Sequence, residues 1–172
     1  MRRMGTLVAV LCAIVASVGA SPAEAAANVF VDATPSSSWQ VDGTVYATLI
    51  VGDKVFVGGE FSNAFSASGQ AIPRKNLAAF SLATGALVNS WQADAAGAVR
   101  ALTSDGTWLF VGGNFSKVGT TLRARVAKVN VATAQVDQTF SASFDSTVRT
   151  LALSGSSLFV GGAFTTANGV PK

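Results

Sequence analysis

"VFVGGEF" (55–61) returns as "LFVGGNF" (109–115) and again as "LFVGGAF" (158–164). Taken singly, Gly58-Gly59-Glu60-Phe61 reads as an acidic glycine loop of the kind that handles nucleotide phosphates. Taken together, the three copies argue otherwise. Glu60 becomes Asn114 and then Ala163 at the equivalent places, so a metal-holding or hydroxyl-activating role would rest on one copy in three. Short motif matches are frequent by chance. A motif that repeats in register serves shape, and the first question is the repeat it belongs to.

The repeat extends well beyond the glycines. Gly58, Gly112 and Gly161 lie 54 and 49 residues apart, and Val45, Val99 and Val148 each stand 13 positions before them. "RKNLAAFSLATGALVNSW" (74–91) parallels "RARVAKVNVATAQVDQTF" (123–140), and most of the extra five residues of the first spacing fall in "AFSASGQAIP" (64–73). The units close on an aromatic, Trp91 or Phe140. "SWQVD" (38–42) echoes "SWQAD" (90–94), so the repeats begin on the tail of a preceding unit. This places units over 45–94, 99–144 and 148–172, with 38–42 as the last strand of an earlier one.

Within a unit the pattern is that of strands. In "LFVGGNF" Leu109, Val111, Gly113 and Phe115 fall on one face, and Phe110, Gly112 and Asn114 on the other. β-Branched and aromatic residues dominate, as a pleated surface prefers. Turn residues separate the segments at Gly52-Asp53, Asp105-Gly106, Gly155-Ser156 and Ala83-Thr84-Gly85. Paired glycines inside a strand signal a bulge, a bend or a close backbone approach. Four strands per unit are expected: the valine-led strand, the VGG strand, one over Leu77–Leu82 (Val126–Val131 in the second unit), and one ending in Trp91 or Phe140. Four strands in 40–50 residues is the size of a propeller blade, and such a sheet needs neighbours stacked on it. The expected fold is all-β, with β-propeller-type units of four-stranded antiparallel blades. About two and a half blades are present, an incomplete ring. Phe61, Phe115 and Phe164, with Trp39, Trp91 and Phe140, are the expected fillers between blades.

The first 27 residues stand apart. Arg2 and Arg3 precede an uncharged, mostly apolar run from Gly5 to Gly19, then small residues, which is the layout of a secretory signal peptide. Ala23-Glu24-Ala25 and Ala25-Ala26-Ala27 both suit a signal peptidase, so cleavage is expected after Ala25 or Ala27. The apolar run is short for a membrane anchor, which takes about 20 residues. Leu11 before Cys12 argues against lipid attachment. Residues 28–37 are a lead-in to the repeats. Removing the leader takes Arg2, Arg3 and Glu24 from 12 basic and 9 acidic residues, leaving 10 and 8, a net charge of +2. No basic cluster exceeds Arg74-Lys75, so nucleic acid is not an expected partner. The mature chain keeps neither the single cysteine nor any histidine. Disulfides and thiol chemistry drop out, as do propeller copper oxidases with their His, Tyr and Cys ligands.

The pattern "LFVGGNF…G…R…VAKVNVATAQVDQTF" resembles the delta-60 repeat, a bacterial β-propeller repeat, and more loosely the repeats of a fungal cortical cell-polarity marker. The resemblance runs from about Ser38 to Lys172. It implies a propeller fold, and it carries no catalytic residue, cofactor or metal over to this chain. Ala134 departs from the pattern by replacing the turn glycine seen at Gly85.

The function expected on these grounds is that of a secreted, non-catalytic β-propeller repeat protein, a scaffold or extracellular binding module. Its expected partner is a cell-surface glycan or protein, with no membrane association after cleavage. Two and a half blades fall short of the ~4 to 8 that close a ring, so the chain reads as the front piece of a longer protein. The loop 62–73 is the first place to look for a ligand, and a tolerated insertion is its plainer reading. The alternative function is an extracellular hydrolase, carbohydrate-active or other, with its site in a further portion. Propeller glycosidases need two facing carboxylates. The acids available are Asp32, Asp42, Asp53, Glu60, Asp94, Asp105, Asp137 and Asp145, of which Asp53 and Asp105 sit in turns where Asp is ordinary. Arg74 and Arg123 recur before the third strand, with Lys172 where a third base would fall. They read either as a ligand-binding ring or, more simply, as donors to the carbonyls of the adjacent turn.

Overall fold

The computed structural model describes residues 39–172; the leader over 1–27, the lead-in over 28–37 and Asp32 lie outside the described residues. Among the described residues the fold is all-β, with antiparallel pairing throughout and no helix, hence none that is long and apolar enough to cross a membrane. In chain order the strands are β1 (Gln40–Val41), β2 (Thr44–Val51), β3 (Lys54–Glu60), β4 (Asn63–Phe65), β5 (Ala71–Pro73), β6 (Leu77–Ser81) and β7 (Ala95–Ser104). They continue with β8 (Trp108–Val118), β9 (Thr121–Leu122), β10 (Val126–Asn130), β11 (Val148–Ser154), β12 (Ser157–Gly162), β13 (Thr166–Ala167) and β14 (Val170–Pro171).

Each VGG segment is the second strand of a hairpin: β2–β3, β7–β8 and β11–β12. The hairpins turn at Gly52, Gly106 and Gly155, whose φ values of 59°, 93° and 55° lie in the left-handed region that glycine occupies at little cost. A third strand joins in the first two units, β6 on β3 and β10 on β8. The fourth strand expected in each unit is reduced to one bridge, Phe80↔Leu87 or Val129↔Val136. The chain leaves the ladder at once because it turns again: Trp91 N donates to Val88 O at 3.0 Å, and Thr139 N to Asp137 Oδ1 at 2.8 Å. The segment 62–73, expected as a loop, is a hairpin of β4 and β5 to which β1 adds a third strand. The corresponding segment of the second unit is the end of β8 folded back on β9, and that of the third is β13–β14.

The expected bulge and the expected close backbone approach are both present, the latter at the second glycine, while the first glycine meets a side chain of the next sheet. The register slips at Val45/Ala47 in β2–β3, at Val99/Ala101 in β7–β8 and at Val148/Thr150 in β11–β12, and β7–β8 slips a second time at Ala95/Gly97. Each slip is a bulge, and the first three lie opposite Gly58-Gly59, Gly112-Gly113 and Gly161-Gly162. At the second glycine a Cβ would strike a backbone carbonyl of the partner strand: Thr44 O, Ala98 O or Thr147 O. At the first glycine the neighbour is the next sheet. A Cβ on Gly58 would strike Val99 Cγ1, and one on Gly112 would lie 2.7 Å from Val148 Cγ1. The repeat valine of each sheet is therefore a knob seated in the glycine socket of the sheet before it.

Burial follows from this stacking. Val99 and Val148 are fully buried, whereas Val45, with no described sheet behind it, is 41 % exposed. The larger core lies between the first two sheets and joins Phe56, Leu77 and Trp91 to Val99, Leu109, Val111 and Phe115. A smaller core on the other face of the first sheet gathers Val57, Phe61, Ala64, Ala78, Phe80 and Leu87, with Trp39 partly buried against it. Among the expected fillers, Trp91 and Phe115 lie between sheets. Phe164 instead pairs with Phe144, ring centroids 4.6 Å apart.

Ala134 keeps the conformation of the glycine it replaces, with φ 62° against 67° at Gly85. The Asn130 side chain holds this turn, accepting Ala132 N and Thr133 N, each at 2.9 Å. An alanine in the left-handed region costs about 1–2 kcal/mol, partly offset by its smaller unfolded-state entropy. Ala134→Gly is accordingly expected to stabilise the protein, by about 0.5–1 kcal/mol in urea denaturation.

Candidate functional site

A bulge leaves one residue outside the ladder and re-aims its side chain. At the bulges opposite the glycine pairs the residues so displaced are Tyr46, Arg100 and Arg149, each directly after its repeat valine. The sheets stack in register, so the three fall side by side. With Thr147 they line a cleft of ≈ 380 Å³. The Arg100 guanidinium carbon lies 4.5 Å from the Tyr46 ring centroid, a cation–π contact that leaves the edge of the fork available. Tyr46 Oη donates to Glu60 Oε2 at 3.2 Å. Glu60, the acidic letter of the first glycine motif, thus anchors a tyrosine at the rim of this cleft. Among the described residues, the ion pairs are Lys54–Asp53 and Lys128–Asp137, so neither Arg100 nor Arg149 has a carboxylate partner. Sequence reasoning missed this row. Its signal was present in "VY", "VR" and "VR" after the anchoring valines.

The recurring arginines before the third strand are elsewhere and are occupied. Arg74, only 4 % exposed, donates from Nη1 to Pro73 O at 2.8 Å and from Nη2 to Asn89 O at 3.1 Å. Arg123 does the same to Leu122 O and Asp137 O, both at 2.7 Å. The plainer reading of this pair is the one the hydrogen bonds match. Replacing Arg74 by methionine keeps the apolar stem and leaves the Pro73 and Asn89 carbonyls without these donors. It is expected to cost about 2–3 kcal/mol in urea denaturation, the scale of charge-assisted bonds. Arg123→Met, at a less buried position, is expected to cost less.

The acids are engaged similarly. Asp42 Oδ1 accepts Ser62 N at 2.7 Å and Asn63 N at 2.9 Å, and Oδ2 accepts the Asn63 side-chain amide at 2.8 Å. Asp145 repeats the arrangement on Thr165 N, Thr166 N and Thr165 Oγ1, at 2.9, 3.0 and 2.7 Å. Asp94, the counterpart of Asp42 by sequence, accepts Lys75 N instead. In its unit β8 runs unbroken through residues 116 and 117, and Lys117 is paired with Leu122 of β9.

These bonds hold the carboxylates in their charged form. The Thr165 hydroxyl, then the Thr166 amide, lower Asp145 to about 2. The Asn63 backbone amide, then its side chain and the Ser62 amide, lower Asp42. The Thr139 hydroxyl and then Lys128 lower Asp137 strongly. In each case the folded pKa lies below the unfolded value of about 3.9. The stabilisation is therefore complete above that value and is lost as pH falls through the folded pKa. Stability is expected to be level above about pH 5 and to fall from about pH 4 towards pH 2, with a shallower fall in Asp145→Asn. Equilibrium unfolding at stepped pH measures this.

Among the described residues no three His, Cys, Asp or Glu side chains gather as a metal site. A second hollow, apolar and ≈ 400 Å³, lies on the outer face of the first sheet and is lined by Trp39, Val41, Val45, Val57, Phe80 and Leu82, among others. Compared with known proteins, the chain matches no family model, no curated protein and no solved structure.

Proposed function

We propose that the chain is an exported, non-catalytic β-propeller repeat module that acts as a scaffold or an extracellular binding unit. The observation that carries this reading is the valine knob in the glycine socket, made twice with the same residues at the same register, Val99 on Gly58 and Val148 on Gly112. A motif spent on joining sheets is not spent on turnover. The two outer faces support stacking of further units. Val45 is an exposed knob beside an apolar hollow, and a Cβ on Gly161 would meet only Thr150 of its own sheet. These faces, rather than the chain ends, favour a longer array that closes as a propeller. The acids speak for a structural role too. A glycosidase general acid needs a raised pKa, and Asp42, Asp137 and Asp145 are all lowered by hydrogen bonds.

Expression with the leader in a secreting host, followed by mass measurement of the product in the medium, tests export. The expected masses are those of the chain less residues 1–25 or 1–27. Retention of the full chain in the cell would refute it. Release of reducing sugar from a panel of polysaccharides would refute the non-catalytic reading.

A further inference from the structure

We infer that the cleft formed by the bulge residues binds an acidic polysaccharide through its oxyanionic groups, with Arg100 and Arg149 as the forks that receive them. This deepens the reading of the chain as an extracellular binding module and rests on it for the class of ligand. The site itself rests on geometry. Three successive sheets place the residue after the repeat valine outside the ladder, and the second and third of these are arginines opening on one cleft. Arginine presents five donors in a planar fork that matches carboxylate and sulfate in bidentate fashion. Arg74 and Arg123 show how this chain treats structural arginines, with both terminal nitrogens bonded to backbone carbonyls. Arg100 instead lies on the Tyr46 ring and Arg149 stands exposed, and neither donates a hydrogen bond to another described residue. Two forks from adjacent sheets suit a ligand with charges repeated along its length better than a single small anion. Glu60 is the one acid bonded within the row, and it is turned to the Tyr46 hydroxyl.

The test is titration calorimetry of the mature protein with a sulfated hexasaccharide, a hexagalacturonate and neutral cellohexaose at low salt. Binding is expected with one or both acidic probes and not with the neutral one, weakening as salt is raised. The two acidic arms distinguish sulfate from carboxylate as the recognised group. Arg100→Gln and Arg149→Gln are each expected to weaken binding about 10-fold, as the loss of one charge-assisted fork implies. Arg100→Lys, which keeps the charge and loses the fork, should weaken it by less, and Lys117→Gln, an exposed position outside the cleft, should leave it unchanged. Tryptophan emission confirms that each variant is folded; should Arg100→Gln fail that check, Arg149→Gln and Arg100→Lys decide. Equal binding by the arginine variants, or no binding of either acidic probe to folded wild-type protein, would overturn the site and leave the scaffold reading standing. Cleavage of a bound probe would do the reverse.

Discussion

Gly113→Ala is expected to destabilise the protein by about 3 kcal/mol or more, while Gly112→Ala, one residue away, costs about 1–2 kcal/mol. The difference lies in what the new methyl group would meet. On Gly112 it faces Val148 Cγ1 at 2.7 Å and Leu151 Cδ1 and Cγ at 3.1 Å, all side-chain atoms of the neighbouring sheet. Two packed sheets separate by a few tenths of an ångström at the ordinary cost of overpacking. On Gly113 it faces the Ala98 carbonyl across the bulge, in the same hydrogen-bonded ladder. That oxygen moves only with its strand. The three copies supply internal controls. Gly59→Ala and Gly162→Ala meet Thr44 O and Thr147 O and are expected to be as damaging as Gly113→Ala. Gly161→Ala meets only Thr150 Cγ2 at 2.7 Å, on an exposed side chain, and should cost under about 1 kcal/mol. Urea denaturation at constant m-value measures the series. A larger loss at Gly112 than at Gly113 would show that sheet spacing, rather than the bulge, fixes the motif.

The sequence revealed the glycine pair as a packing device because the pair repeats, and repetition separates shape from chemistry without any coordinates. It also revealed the strand alternation and the hairpin turns, since left-handed glycines at 52, 106 and 155 leave a compositional mark. What it concealed has physical causes. The fourth strand failed because "LVNSW" and "VDQTF" carry strand-forming residues yet turn on local hydrogen bonds after a single bridge, a competition that propensity does not decide. The hairpin over 62–73 was hidden by its small polar residues, which gain their order by pairing with β1 from outside the segment. The candidate site was hidden most deeply. Tyr46, Arg100 and Arg149 read as ordinary members of alternating strands, and only the one-residue slip of register turns them into a single cleft. A slip of one residue exchanges the two faces of a strand, so a pattern of period two cannot locate it.

Trp91→Ala is expected to cost about 4 kcal/mol, in the range of large aromatic deletions from a packed core, and to change how the protein unfolds. Trp91 is 1 % exposed and lies edge-on to Phe56, with centroids 4.9 Å apart and planes at 68°. Its Nε1 donates at 3.1 Å to Asn130 O, the carbonyl that also closes the Ala134 turn. One side chain therefore packs on the first sheet and is hydrogen-bonded to the edge strand of the second. In stacked repeats, stability is the sum of each unit's own stability and the interfaces between units. Removing this ring weakens the interface term selectively, so the two sheets should begin to unfold apart, with a lower apparent m-value and a broader transition. Trp91→Phe retains most of the apolar contact, and Asn130 O keeps Ala134 N as a donor at 3.0 Å. It should therefore cost only about 1–2 kcal/mol and leave the transition sharp. Trp39→Ala, on the open face of the first sheet, should cost less than either while cooperativity is preserved. If Trp91→Ala lowered stability with an unchanged m-value, the two sheets would form a single cooperative block, and the additive account of these units would have to be given up.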